Sequence, residues 1–179
     1  FNDNIVKVES GYPLPKLSLE ILKHNLIGLE FAAGIPGLVG SSVAMNAGAY
    51  NKSMADVVKE ITILDEDLNI RVLKNNELKF RYRDSLLKEN KKLIVLEVTL
   101  ELEYGDILEA KELIETRRQR RISTQPLNYP SSGSVFRNPE GMHAGELIEK
   151  CNLKGYNING AEISEKHANF IINKDNCKG

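Results

Sequence analysis

The sequence predicts an α+β fold from three observations. Two stretches alternate apolar and polar residues around a polar turn, at 57–64 and 70–74, and a third alternates from 93 to 103. Helical spacing of apolar residues recurs at 16–25, 105–121 and 144–151. Between the first helix and the first hairpin runs Gly34-Ile35-Pro36-Gly37-Leu38-Val39-Gly40-Ser41-Ser42-Val43-Ala44-Met45-Asn46-Ala47-Gly48-Ala49-Tyr50, whose glycines and alanines leave almost no side-chain bulk.

Ile5, Val6 and Val8 predict a short strand, closed by Gly11-Tyr12-Pro13. Leu19, Leu22 and Leu26 then set the spacing of the first helix, with His24 as a solvated residue on it. In the bare stretch Pro36-Gly37 marks a turn. Ser41 is expected to cap a short helix running towards Asn46, and Gly48 to stop it. A helix start beside a glycine-rich turn offers N–H groups to an anion, and so little bulk lets a flat ring or a phosphate approach to contact distance. A tightly packed loop between core elements is the plain alternative.

In the hairpin Ile61 and Ile63 share one face, Glu60 and Thr62 the other, and 75–78 is a helical turn. In the long strand Ile94, Leu96, Val98, Leu100 and Leu102 are expected to point one way, with Glu97, Glu101 and Glu103 on a solvated face. Gly105-Asp106 opens a helix carrying Ile107, Ala110, Leu113 and Ile114. It ends in Arg117-Arg118-Gln119-Arg120-Arg121, where cations complement the helix dipole. Composition changes at Ile122, and Ser, Pro, Asn and Thr crowd the stretch to Gly133. A domain boundary is placed there, giving domains at 1–121 and 122–179. Ala144, Leu147, Ile148 and Cys151 mark the buried stripe of a last helix, followed by a turn at 157–160 and short strands at 161–164 and 168–173.

The chain has 179 residues, a formal net charge of −1 and 41% hydrophobic residues. That balance gives no reason to invoke nucleic acid or an anionic membrane, and no apolar run approaches the ~20 residues of a membrane span. Cys151 and Cys177 are too far apart in sequence to frame a zinc site or a disulfide scaffold. Cys151 is expected to be a buried free thiol, and the cysteine usage matches a reducing cytoplasm. Phe1 is not an initiator methionine and no signal-peptide pattern follows it, so the chain is expected to be cut at the front.

Two residues carry candidate chemistry. Arg83, in Phe80-Arg81-Tyr82-Arg83-Asp84-Ser85, offers a fork suited to a carboxylate, or forms a surface pair with Asp84 as Arg81 would. Ser134, in Ser131-Ser132-Gly133-Ser134-Val135-Phe136-Arg137-Asn138-Pro139, reads from the residues alone as a turn serine that bonds its own backbone. A serine hydrolase using Ser134 with His143 or His167 lacks Gly-x-Ser-x-Gly, because Val135 and Phe136 follow the serine. His143 reads as a helix N-terminal residue. A non-catalytic nucleotide-binding module built on 34–50 is a further alternative.

Four blocks in order resemble the UDP-N-acetylenolpyruvoylglucosamine reductases: Ile35-Pro36-Gly37 through Tyr50; Tyr82-Arg83-Asp84-Ser85; Gln125-Pro126-Leu127 through Gly133-Ser134-Val135-Phe136; and Lys166-His167-Ala168 through Asn173. The resemblance implies an FAD-binding domain of the PCMH type followed by the family's C-terminal substrate domain. It implies FAD and NADPH as cofactors and a UDP-sugar as substrate. The enzyme would be a cytoplasmic monomer of peptidoglycan precursor synthesis, with no nucleic-acid or membrane partner. By the same resemblance Ile35, Pro36, Gly37, Ser41, Ser42, Asn46, Gly48 and Tyr50 neighbour the flavin. The resemblance likewise implies that Tyr82, Arg83 and Asn138 bind substrate and that Arg83 and Ser134 are catalytic, Ser134 as the proton donor. One or two arginines among 117–121 would approach the diphosphate, and Lys166 and His167 would lie near the substrate cleft. The absence of an inserted tyrosine loop after Tyr104-Gly105-Asp106 resembles the shorter of the family's two subtypes. The family's other glycine-rich phosphate loop and its catalytic glutamate are expected upstream and downstream of this sequence. The chain alone is therefore expected not to retain FAD.

Overall fold

The alternating stretches become one antiparallel sheet in the computed structural model, which describes residues 1–175, 177 and 178. The chain divides into two units, Phe1–Thr116 and Arg117–Gly179. The first runs β1 (Ile5–Glu9), α1 (Leu14–Glu20), β2 (Leu26–Ile27), α2 (Val39–Ala44), β3 (Gly48–Ala49), β4 (Lys52–Ser53), β5 (Val58–Leu64), β6 (Ile70–Lys74), α3 (Leu86–Glu89), β7 (Ile94–Glu101) and β8 (Glu103–Tyr104). Helix α4 (Ile107–Thr124) begins in the first unit and ends in the second. The second unit continues with β9 (Ser131–Ser134), α5 (Ala144–Lys150), β10 (Asn157–Ile158), β11 (Ala161–Ile163) and β12 (Phe170–Asn173).

The sheet of the first unit has the order β1-β7-β5-β6. Ile61, Ile63, Val98 and Leu100 are fully buried on one face, against Leu14, Ile21, Leu26, Leu29 and Met54. The expected facing of β7 holds only at its C-terminal end. Thr62 pairs with Glu97 but Ile63 with Val95, so Leu96 is an extra residue on β7. One inserted residue reverses the alternation. Val95 therefore packs on the core, while Ile94 and Leu96 are 56% and 37% exposed. The glutamates of β7 are solvated as expected, Glu97 and Glu101 each 3.2 Å from a lysine, Lys7 and Lys59.

The first helix is shorter and rotated from expectation. Its α-helical part ends at Glu20, a tighter 3₁₀ turn covers Ile21–His24, and Asn25 closes it at φ 59°. The buried stripe is Leu14, Leu17, Ile21 and Leu22, leaving Leu19 exposed. Helix α4 opens on Asp106, whose Oδ1 accepts the Leu108 and Glu109 N–H groups. It runs three residues past Arg121. The Ser123 and Thr124 hydroxyls donate back to the Arg120 carbonyl, which lets polar residues stay helical where composition suggested a loop.

The sheet of the second unit has the order β10-β11-β12-β9. Asn159 and Gly160 join β10 to β11 with φ of 49° and 90°, the pair of positive values a two-residue hairpin turn requires. Glu162 is buried on β11 and neutralised by Lys174, whose Nζ lies 2.8 Å away. Helix α5 stops at Lys150, so Cys151 is its C-terminal flanking residue and is exposed, not the buried thiol expected. Among the described residues no helix is long and apolar enough to cross a membrane.

Candidate active site

In the first unit the bare stretch forms α2, which starts at Val39 and not at Ser41. Leu38 is the extended residue before it, and no side chain caps it. The Ser41 and Ser42 hydroxyls both donate to the Leu38 carbonyl, at 2.9 and 2.8 Å. The first two helical N–H groups are spent inside the protein, Val39 on Tyr12 O and Gly40 on Ser10 O, each at 2.9 Å. Neither of these two N–H groups is left for an anion, the role expected of the helix start. Gly40 is bare for packing: a Cβ there would sit 2.6 Å from the Ser10 Cβ. Gly48 does not stop a helix but opens β3, and a Cβ on it would meet Lys52 O at 2.4 Å. Ile35 packs on the core, and Gly34, Pro36, Gly37, Leu38, Ser41, Met45 and Tyr50 form the exposed surface of the stretch.

Arg81 and Arg83 separate cleanly. Arg81 N–H and C=O pair with Asp84 across a two-residue turn, and the Arg81 side chain pairs with the carboxylates of Asp84 and Glu89. Arg83 takes the second turn position at φ 55°, a costly conformation for a non-glycine residue. Its guanidinium donates to the backbone carbonyls of Gly48 and Asn46, the latter at 3.5 Å, and its carbon lies 4.9 Å over the Tyr82 ring. Among the described residues no carboxylate pairs with it. The surface pair weighed for this block belongs to Arg81, and Arg83 is a half-buried cation held against the bare stretch by neutral acceptors.

Two buried polar residues hold this arrangement. Asn46, at φ 41°, donates from Nδ2 to Arg81 O and accepts the Ala55 N–H at Oδ1, both at 2.9 Å. Ser85 donates to Ala44 O at 2.6 Å, tying the start of α3 to the end of α2. Sequence reasoning gave Ser85 no role of its own. Asn46→Ala is expected to destabilise the protein by ~2–4 kcal/mol, from two stranded polar partners and a strained φ. Asn46→Gly relieves the φ but not the partners, and should recover only part of the loss. Urea unfolding midpoints check this, and an unchanged midpoint for Asn46→Ala would rule out the bracing role.

The second unit contains a cleft of about 320 Å³ lined by Ser134, Asn138, His143, Lys166, His167 and Asn169, among others. Ser134 ends β9 opposite Phe170, not at a strand-to-helix turn of hydrolase type. Asn138 Oδ1 accepts the Ala144 N–H at 3.0 Å, so Asn138 caps α5 from within the cleft. Its Nδ2 lies 3.4 Å from His143 Nδ1, and His143 is the flanking residue of that helix, as expected. His167 Nδ1 accepts the Asn169 N–H at 3.2 Å, which leaves the neutral ring's proton on Nε2. Burial pushes the His167 pKa down, which favours that neutral form. Lys166 Nζ donates to Ile122 O at 2.6 Å. Sequence reasoning assigned nothing to Asn169 individually.

A family model described as an FAD binding domain matches residues 2–73, and one described as the C-terminal domain of UDP-N-acetylenolpyruvoylglucosamine reductase matches residues 125–179. The chain is 51% identical over 169 residues to the UDP-N-acetylenolpyruvoylglucosamine reductase of Caldanaerobacter subterraneus subsp. tengcongensis, covering 94% of this chain and 56% of that protein. It is 49% identical over 172 residues to that of Anoxybacillus flavithermus, covering 96% and 57%. This chain belongs to the UDP-N-acetylenolpyruvoylglucosamine reductase family. A solved structure of UDP-N-acetylenolpyruvylglucosamine reductase from Thermus caldophilus is similar to it with a TM-score of 0.86 and 36% identity, over 97% of this chain and 63% of that one. The chain thus spans little more than half the length of the family relatives it matches. The bare stretch of the first unit fits the flat ring of the family's FAD in its low bulk and exposed apolar surface. An unneutralised Arg83 faces a stretch with little bulk and an exposed apolar surface at Leu38, Met45 and Tyr50.

Proposed function

We propose that the intact protein reduces UDP-N-acetylglucosamine enolpyruvate to UDP-N-acetylmuramate with NADPH, in cytoplasmic synthesis of peptidoglycan precursors. The single strongest support is the relatives of that name at about half identity along nearly the whole chain. Ile35, Pro36, Gly37, Ser41, Ser42, Asn46, Gly48 and Tyr50 would hold FAD, largely through backbone, because the Ser42 and Asn46 side chains are already engaged by the protein. Bound there, FAD would supply hydride transfer between NADPH and the enolpyruvyl double bond.

The chain's own residues supply orientation, charge and a proton. Arg83 would present its fork to the enolpyruvyl carboxylate, with Tyr82 beneath the guanidinium. Negative charge grows on that carboxylate as a hydride adds to the neighbouring double bond, so a fixed cation favours the transition state over the ground state. Ser134 Oγ would then give its proton to the second carbon, completing addition of hydride and proton across the bond. Asn138, fixed by α5, would offer an amide to the substrate from the same cleft as Ser134.

The test is an anaerobic titration of the intact, purified protein. A visible flavin band should bleach with NADPH and return when the enolpyruvyl substrate is added. Nucleotide binding with no flavin reduction would identify a binding module instead. Reduction without reoxidation by this substrate would reject the substrate assignment.

A further inference from the structure

We infer that Asn169 is the positioning residue for Ser134, an inference that rests on reading Ser134 as the proton donor. Ser134 sits where regular pairing fails. Ser134 pairs with Phe170 and Ser131 with Ile172, so β9 holds one residue more than β12 across that interval. Gly133, at φ 80°, accommodates the extra residue immediately before the serine. A bulge re-aims the side chain beside it but gives up ladder bonds that would fix it. After the serine, β9 has ended, and Asn169 takes over the pairing.

The Asn169 carbonyl accepts the Val135 N–H at 2.9 Å. Its side chain then imitates a strand: Oδ1 accepts the Phe136 N–H at 2.9 Å and Nδ2 donates to the Phe136 carbonyl at 2.8 Å. Asn169 is itself 4% exposed, and its N–H is fixed by His167 Nδ1. Both residues after Ser134 are thus tied to one buried residue, and the residue after that one pairs with the serine. Ser134, His167 and Asn169 all line the cleft. Asparagine suits this place because its carboxamide presents one acceptor and one donor side by side, matching a backbone N–H and C=O. No aliphatic residue could satisfy both groups of Phe136, although the run 168–173 is otherwise apolar at Ala168, Phe170, Ile171 and Ile172.

The test uses the intact protein carrying Asn169→Ala, Asn169→Asp, Ser134→Ala and the Ser134→Ala/Asn169→Ala double variant. Amide hydrogen exchange should speed up at Phe136 in Asn169→Ala. Flavin reduction by NADPH should keep its wild-type rate. Reoxidation by substrate should slow ~10²-fold, the loss typical of a misplaced reacting group, with substrate KM changed less than kcat. Asn169→Asp keeps the shape and the acceptor but loses the donor, and should show the same defect even if the alanine variant fails to fold. In the double variant the Asn169 defect should vanish, since there is no serine left to position. Equal slowing of both half-reactions, or wild-type reoxidation in folded Asn169→Asp, would overturn the inference. If Ser134→Ala slows reoxidation while Asn169→Asp does not, only the inference falls. If Ser134→Ala itself reoxidises normally, the proton-donor reading falls first.

Discussion

Ser134→Ala in the intact protein is expected to leave flavin reduction by NADPH nearly unchanged and to slow reoxidation by the enolpyruvyl substrate by ~10²–10⁴-fold or more, the usual contribution of a positioned general acid. The two half-reactions differ in what they ask of Ser134. Reduction by NADPH needs no proton from the cleft of the second unit. Addition of a hydride to the enolpyruvyl double bond leaves a very basic carbon, the one kind of atom to which a serine hydroxyl donates well. Alanine has no proton to give, and Ser134→Cys, which restores a donor, should recover part of the rate. Stopped-flow absorbance separates the steps. Equal slowing of both would mean that Ser134 keeps the shape of the bulge at Gly133, the turn role first weighed for it. Normal rates in both would mean that the proton comes from elsewhere.

The physics behind that experiment was only partly legible in the sequence. Alternation located β5, β6 and β7, because a half-buried strand writes its period directly into the chain. It could not show the extra residue at Leu96, which turns Ile94 outward, because a bulge is a relation between two strands. The same limit explains α2. Ser41 has the chemistry of a cap, but Val39 and Gly40 give their N–H groups to Tyr12 and Ser10, far away in sequence, and the helix starts on those two residues. Cys151 lies at helical spacing from Leu147 and Ile148, yet the helix stops one residue before it. Periodicity reports a face only as long as the element lasts.

The candidate site was legible as residue types and not as bracing. Arg83 and Ser134 stood out through the blocks that contain them, and Asn46 as a flavin neighbour, whereas the bracing by Asn46, Ser85 and Asn169 shows only in the backbone groups they satisfy. One signal was available for Asn169. An amide flanked by apolar residues in a strand-forming run has to find a buried partner, since leaving it unpaired costs ~1–3 kcal/mol.

Arg83→Lys is expected to lower kcat by ~10²–10³-fold, the scale on which loss of one fixed donor to a growing negative charge is felt. Both residues carry one positive charge, so charge alone predicts no change. On the proposed role, geometry decides. Arg83 already spends one N–H from each terminal nitrogen on the Asn46 and Gly48 carbonyls, and a guanidinium keeps its remaining N–H groups in a rigid plane for a carboxylate. A lysine ammonium that met the same two carbonyls would have a single N–H left, aimed by a flexible stem. The bidentate contact would be lost while the loop stayed braced by Asn46 and Ser85, so stability should change little and kcat should fall more than KM rises. Arg81→Lys is the matched control in the same turn. Its side chain is 59% exposed and pairs with Asp84 and Glu89, and such surface pairs contribute ~0–1 kcal/mol to stability. Steady-state kinetics on the two variants compare them directly. Near-wild-type kcat for Arg83→Lys, or equal losses for both variants, would place the substrate carboxylate elsewhere and reduce Arg83 to a brace for the 46–48 carbonyls.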